Sequence, residues 1–138
     1  MFNLLVSLLF FLVSSDLKAE WTKVADTGNL GKDNYILFVD FNSIKKEGDI
    51  SSLWNLKNYK TSQEIAEKVY ISNKEKSEYN CARETTRILS FSWFTHPKGR
   101  GSMVHTDSEP TDFRTIFPET IDDVLMKIAC GKLLIENF

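Results

Sequence analysis

The chain has 138 residues, 42% of them hydrophobic, with 17 Lys and Arg against 19 Asp and Glu for a net charge of −2. That length fits one domain; the apolar share excludes a disordered chain, and six Gly with three Pro exclude a fibrous repeat. Near-neutral charge removes the broad attraction to nucleic acid that a basic domain carries, so no nucleic-acid partner is expected.

The apolar residues are unevenly spread. Leu4 to Val13 is interrupted only by Ser7, and Ser14, Ser15, Asp16, Leu17, Lys18 and Ala19 follow. A membrane-spanning helix needs about 20 apolar residues, roughly twice this run. A short apolar core followed by small and polar residues reads as a secretory signal cut after Ala19. The competing reading is a buried first element of the domain itself. With the cut, residues 1–19 are removed and residues 20–138 form a single domain with the net charge still −2. No later run has membrane length, so no span is expected in the mature chain.

Along that chain, Trp21 to Ala25 reads as a short strand and Asp26 to Asn34 as a polar loop. Tyr35 to Phe41 is aromatic and β-branched and too short for a core helix, so it predicts a strand. Asn42 to Asp49 predicts a hairpin turn with Gly48 in the left-handed position, and Ile50 to Tyr59 the return strand. Gln63 to Lys68 is open between a helical turn and a loop; Val69 to Ser72 is a third sheet segment. Glu78 to Phe94 is expected as one long strand, its core-facing half being Leu89 to Trp93. His96 to Gly101 is a turn by composition, Ser102 to Thr106 pairs back on it, and Asp107 to Asp112 is a loop. Then the period changes. Ile121, Val124, Leu125, Ile128 and Ala129 make one helical stripe, with Thr120 as N-cap, Asp122 and Asp123 in the first turn and Gly131 past the end. The fold class is α+β: a single antiparallel β-sheet of about five to six strands with one C-terminal α-helix packed on it.

Cys81 and Cys130 are the only thiols. In an exported chain they pair as a disulfide that ties the helix to the long strand. Their spacing excludes a CxxC redox motif. The competing role is a reactive thiol at Cys81, because Arg83 lies close by and a cation lowers a thiol pKa.

No hydrolytic or redox constellation emerges, and no enzyme is expected. Asp40, Glu47 and Asp49 cluster near the first hairpin, and Ser43, Ser72 and Ser90 have no recognisable base partner. His96 and His105 are weak candidates for a metal or haem iron across a hairpin; without a carboxylate or thiol at ligand spacing, two solvated histidines is the plainer reading. Lys98 and Arg100 on the hairpin tip, and Arg83 and Arg87 on one face of the long strand, are the candidate partner-binding residues. The aromatic surplus of Trp54, Tyr59, Phe91, Trp93 and Phe94 exceeds what one helix covers, which points to core filling or to a sheet face buried against a partner or a second copy.

A resemblance rests on the order of these features: Trp21 after the signal; Tyr35-Ile-Leu-Phe-Val-Asp40; Ser43-Ile44 with Lys45, Lys46 and Gly48; Trp54-Asn-Leu56 before Tyr59. It continues through Ser72, Glu78-Tyr79-Asn80-Cys81, Arg87, the Gly99–Gly101 turn, Ile116-Phe-Pro118, and a terminal helix ending at Cys130. Together they resemble the bacterial surface-adhesin protein E family across nearly the whole mature chain. The resemblance implies a disulfide between the two cysteines, a cell-surface or periplasmic location, binding of host matrix and plasma proteins and of haem, and a homodimer. The chain has no Cys near the end of its apolar run to accept a lipid, which separates it from a lipid-anchored relative.

The expectation is therefore an exported, non-enzymatic module that binds a protein partner or itself. The alternative is a soluble periplasmic carrier of a small ligand such as haem, or a protein of envelope maintenance. Intact mass checks the first step: cleavage after Ala19 leaves an exported chain that begins at Glu20 and weighs 2 Da less than its reduced form.

Overall fold

The computed structural model describes residues 18–28 and 31–132; the apolar run expected as the export signal lies outside the described residues. Six strands follow one another through one antiparallel sheet in chain order: β1 (Trp21–Asp26), β2 (Tyr35–Glu47), β3 (Ile50–Ile65), β4 (Lys68–Asn80), β5 (Thr85–His96) and β6 (Arg100–Asp107). A two-residue β7 (Arg114–Thr115) pairs back onto the start of β5, and α1 (Ile121–Ala129) follows. Strands adjacent in sequence and in space need only short antiparallel connections. The expected α+β sheet with one C-terminal helix is what forms.

Three stretches differ from the expectation, each because of a turn. The chain from Glu78 to Phe94 is two strands, since Cys81–Glu84 turns back between β4 and β5. Asn80 makes that turn: its Oδ1 accepts the backbone amides of Ala82 at 3.1 Å and Arg83 at 2.9 Å, an Asx-type cap. Gln63 to Lys68 is neither helix nor loop but the end of β3, a two-residue reversal at Ala66-Glu67, and the start of β4. Both turn residues adopt positive φ, 50° and 66°, without the Gly or Asn that normally signals it. The first hairpin is tighter than expected. Its loop is Gly48-Asp49, and Asn42 to Glu47 continues β2 beyond a bulge between Asp40 and Lys45. There the Ser43 hydroxyl donates to the Asp40 carbonyl at 2.6 Å and accepts the Trp54 amide at 2.8 Å, replacing the ladder bond that the bulge removes.

α1 lies against β2 and β3. Leu37, Val39, Leu53 and Tyr79 from the sheet meet Leu125, Met126, Ile128 and Ala129 from the helix in one buried cluster. Thr120 caps the helix by accepting the Asp123 amide at 3.3 Å, as its sequence position predicts. Asp123 is buried as well: its Oδ2 accepts the Glu119 amide at 3.1 Å and Lys127 Nζ at 3.0 Å. Those two donors hold its carboxyl below the usual range, Lys127 first.

Cys81 and Cys130 form a disulfide with Cα atoms 5.8 Å apart. It ties the end of α1 to the β4–β5 turn rather than to the middle of a long strand. Ser51 adds a hydroxyl bond to the Ala129 carbonyl at 2.6 Å, and Lys132 Nζ donates to the Cys81 carbonyl at 3.0 Å. The Ser51 bond serves one of the terminal carbonyls of the helix.

Farther across the sheet an aromatic run replaces the helix as cover. Tyr35 of β2 meets Tyr59 of β3 edge to face at 5.6 Å, and Tyr59 meets Tyr70 of β4 at 5.9 Å. Tyr70 stacks on Trp93 of β5 at 4.4 Å, and Trp93 contacts Phe91 at 5.6 Å and His105 of β6 at 4.6 Å. Phe91 and Trp93 therefore belong to this run and not to the core under α1, contrary to the expectation for Leu89 to Trp93. The residue β5 buries most among its aromatics is Phe94.

Two predictions follow from this packing. Cys130→Ala releases a cross-link spanning 49 residues, which lowers stability by about 4 kcal/mol in the chain-entropy model; urea unfolding of the oxidised wild type against the variant measures it. The second concerns alkali. Burial holds the phenols of Tyr35, Tyr59, Tyr70 and Tyr79 above the ordinary tyrosine range, and these are the chain's four tyrosines. The unfolded chain releases those protons near pH 10 and the folded chain keeps them. Stability is full below about pH 10 and falls as the pH rises above it. Tyrosinate absorbance at 295 nm should appear at higher pH in the native protein than in the protein unfolded in urea.

Candidate functional site

The sheet has two faces, and the one away from α1 is where the candidate residues gather. Lys23, Phe38, Leu56 and Lys74 are register partners across β1 to β4, so they share a face. Leu56 is fully buried there although no helix covers it. The cover is the hairpin tip. A single turn of 3-10 helix, Pro97–Gly99, folds back from β5 over β3 and β4. The Lys98 amide donates to Asn58 Oδ1 at 2.7 Å and the Gly99 amide to Ser72 Oγ at 2.9 Å, while Ser72 Oγ donates to the His96 carbonyl at 2.6 Å.

The tip is held by glycines for a steric reason. A Cβ on Gly99 would fall 2.2 Å from Lys74 Cε, and one on Gly101 would fall 2.1 Å from His96 Nδ1; both residues have φ near +70°. Lys98 itself adopts φ 59°, which carries its ammonium to 5.7 Å from the Phe38 ring. Lys74 Nζ sits 5.1 Å from the Phe94 ring on the same face. Arg100 is exposed at the base of the tip. A shallow hollow of about 420 Å³ lies between His96, Lys98 and Arg100.

The four candidate arginines and lysines do not make one patch. Lys98 and Arg100 lie at one end of β5. Arg87 lies near the other, ten or so residues and roughly 30 Å along the strand. Its guanidinium pairs with Glu78 at 2.9 Å and stands 4.7 Å from the Phe113 ring, so it is engaged within the protein. Arg83 does not share its strand at all. It lies in the turn beside the disulfide, and the expected common face with Arg87 does not exist because the long strand is two strands.

The histidines are likewise separate. His96 pairs across the hairpin with Arg100 and bonds Thr95 at 2.9 Å. His105 pairs with Trp93 and bonds Lys68 Nζ at 3.0 Å. Among the described residues no three His, Cys, Asp or Glu side chains gather as a metal site. Both cysteines are in the disulfide, so the reactive-thiol reading of Cys81 is overturned.

Sequence reasoning missed a second feature of this face. Beside the bulge in β2 is a cleft of about 400 Å³ whose walls include Trp21, Asp40, Ser43, Trp54 and Lys74. Each of these residue types is ordinary in a strand, and only the register of four strands brings them together.

The family model for surface-adhesin protein E matches residues 21–131. Among solved structures, crystal form II of Haemophilus influenzae protein E superposes with a TM-score of 0.58 at 15% identity, covering 80% of this chain and 96% of that one. A second structure of the same protein gives 0.56 at 15% identity, with coverages of 80% and 93%. Protein E from non-typeable Haemophilus influenzae gives 0.54 at 16% identity, with coverages of 83% and 86%. At those identities the likeness shows a shared fold. No curated protein matches the chain. The family match runs from the first residue of β1 to Gly131, two residues beyond α1, and on that ground the chain belongs to the surface-adhesin protein E family.

Proposed function

We propose that this chain is an exported, non-enzymatic binding module that presents the sheet face away from α1 and its basic tip to a protein partner. The family match over residues 21–131 carries this reading. The form of the tip supports it, because backbone hydrogen bonds and two glycines hold the turn that carries the exposed Lys98 and Arg100 on a rigid base rather than on a loose loop. Rigid presentation lowers the ordering cost of association. A partner with acidic groups fits that tip, such as a host matrix or plasma protein. A second copy of the chain is the self-associating form of the same reading.

The cell surface is the site of action in this reading, reached by export and signal removal. Among the described residues no helix is long and apolar enough to cross a membrane.

Binding to immobilised matrix and plasma proteins tests the proposal. Lys98→Glu with Arg100→Glu should weaken it at least about tenfold, or about 1.4 kcal/mol. The wild-type affinity should fall with added salt, and the melting temperature should stay unchanged. Equal binding by the double variant rules out the tip. Protection from protease on intact cells rules out the surface location.

A further inference from the structure

The cleft beside the β2 bulge is a site of its own. Trp21, Asp40 and Trp54 are direct register partners on β1, β2 and β3, so all three side chains rise from one face. Neighbouring strands lie about 4.8 Å apart, which sets the two indoles on strands about 10 Å apart with a carboxylate between them. The arrangement is rigid. Asp40 Oδ1 accepts the Asn42 amide at 3.1 Å, and Ser43 locks the bulge to the Trp54 amide at 2.8 Å.

Two charges in this cleft lack an opposite partner. Among the described residues no lysine or arginine pairs with the half-buried Asp40 carboxylate. Lys74, one row along beside Leu56, also lines the cleft; its ammonium lies over the Phe94 ring and forms no ion pair among the described residues. A bare anion would meet Asp40, and a bare cation would meet Lys74. A molecule carrying both charges satisfies both groups. Indole is the aromatic surface that best attracts a cation, and it does so most strongly where water is excluded.

We propose that this cleft binds a small zwitterion: an ammonium, primary or quaternary, enclosed by Trp21 and Trp54 over Asp40, and a carboxylate or phosphate met by Lys74. The residues that carry this all lie beyond Ala19, so removal of the expected export segment leaves them in place; Lys18 and Ala19, which close one side of the cleft, would go with it. The site goes beyond the adhesive reading and needs no macromolecular partner.

The chain has three tryptophans, and Trp93→Phe leaves the two cleft indoles as its only indole fluorophores. Phosphocholine and glycine betaine, titrated into this otherwise full-length chain, should each change the fluorescence saturably. The tighter of the two, which identifies phosphate or carboxylate as the anionic end, should bind at least about tenfold more tightly than choline or inorganic phosphate alone. Asp40→Asn keeps the acceptor for the Asn42 amide and should weaken binding about tenfold. Lys74→Gln should do the same, while Lys76→Gln, an equal charge removed in register with Trp54 but outside the cleft walls, should leave binding unchanged. If Asp40→Asn lowers the melting temperature, the comparison of Lys74→Gln with Lys76→Gln decides alone. No saturable signal from either zwitterion, equal binding of choline alone, or equal losses at Lys74 and Lys76 would overturn the site.

Discussion

One helix of nine residues has to serve a sheet of six long strands. At 1.5 Å per residue α1 spans about 14 Å, whereas six strands at about 4.8 Å spacing are about 24 Å wide and the 16 residues of β3 run about 50 Å. The helix covers part of one face, over β2 and β3, and is fastened there at its C-terminal end by the disulfide, by Ser51 and by Lys132. Everything else about the molecule follows from how the remaining sheet surface is handled. On the helix side the chain supplies an aromatic run from Tyr35 to His105. On the other side it folds its own hairpin tip down over Leu56.

Between the helix and the aromatic run the face turns polar, and not comfortably. Asn55 is fully buried on β3, yet neither polar atom of its side-chain amide has a hydrogen-bond partner among the described residues, and Asn73 Oδ1 is in the same condition. Such groups cost about 1–3 kcal/mol each. The disulfide constrains the unfolded chain by an amount of that order, which gives the cross-link a physical role in a domain whose core is confined to one part of one face.

That economy of cover also shapes function. The tip that seals Leu56 is the segment that presents Lys98 and Arg100, so the structural and the binding role share one turn. The bulge that extends β2 beyond Asp40 is likewise what opens the cleft between Trp21 and Trp54. Neither feature belongs to the face that α1 occupies, and substitutions in either act far from the main core.

Much of this was legible in the residues. The period change at Ile121, the Thr120 cap and Gly131 define a helix by local chemistry alone. Tyr35 to Phe41 and Ile50 to Tyr59 read as strands because alternation and β-branching are local too. The failures were turns lacking the usual letters. Ala66-Glu67 reverses the chain at positive φ without Gly or Asn, and Cys81–Glu84 turns through the side chain of Asn80, a turn-forming residue type standing just before it. Because Cys81–Glu84 contains no Gly or Pro, the sequence pattern runs through it as strand and predicts a common face for Arg83 and Arg87 that does not exist. The tip residues fared better: His96 to Gly101 was recognisable as a turn from Pro97, Gly99 and Gly101. The sequence by itself determined the class of fold, the helix and the family, since these depend on periodicity, caps and the order of motifs. Only the tertiary structure decided which side chains meet, because the register that puts Asp40 between Trp21 and Trp54, and Lys98 over Phe38, is set by bulges and turns distant from those residues in the chain.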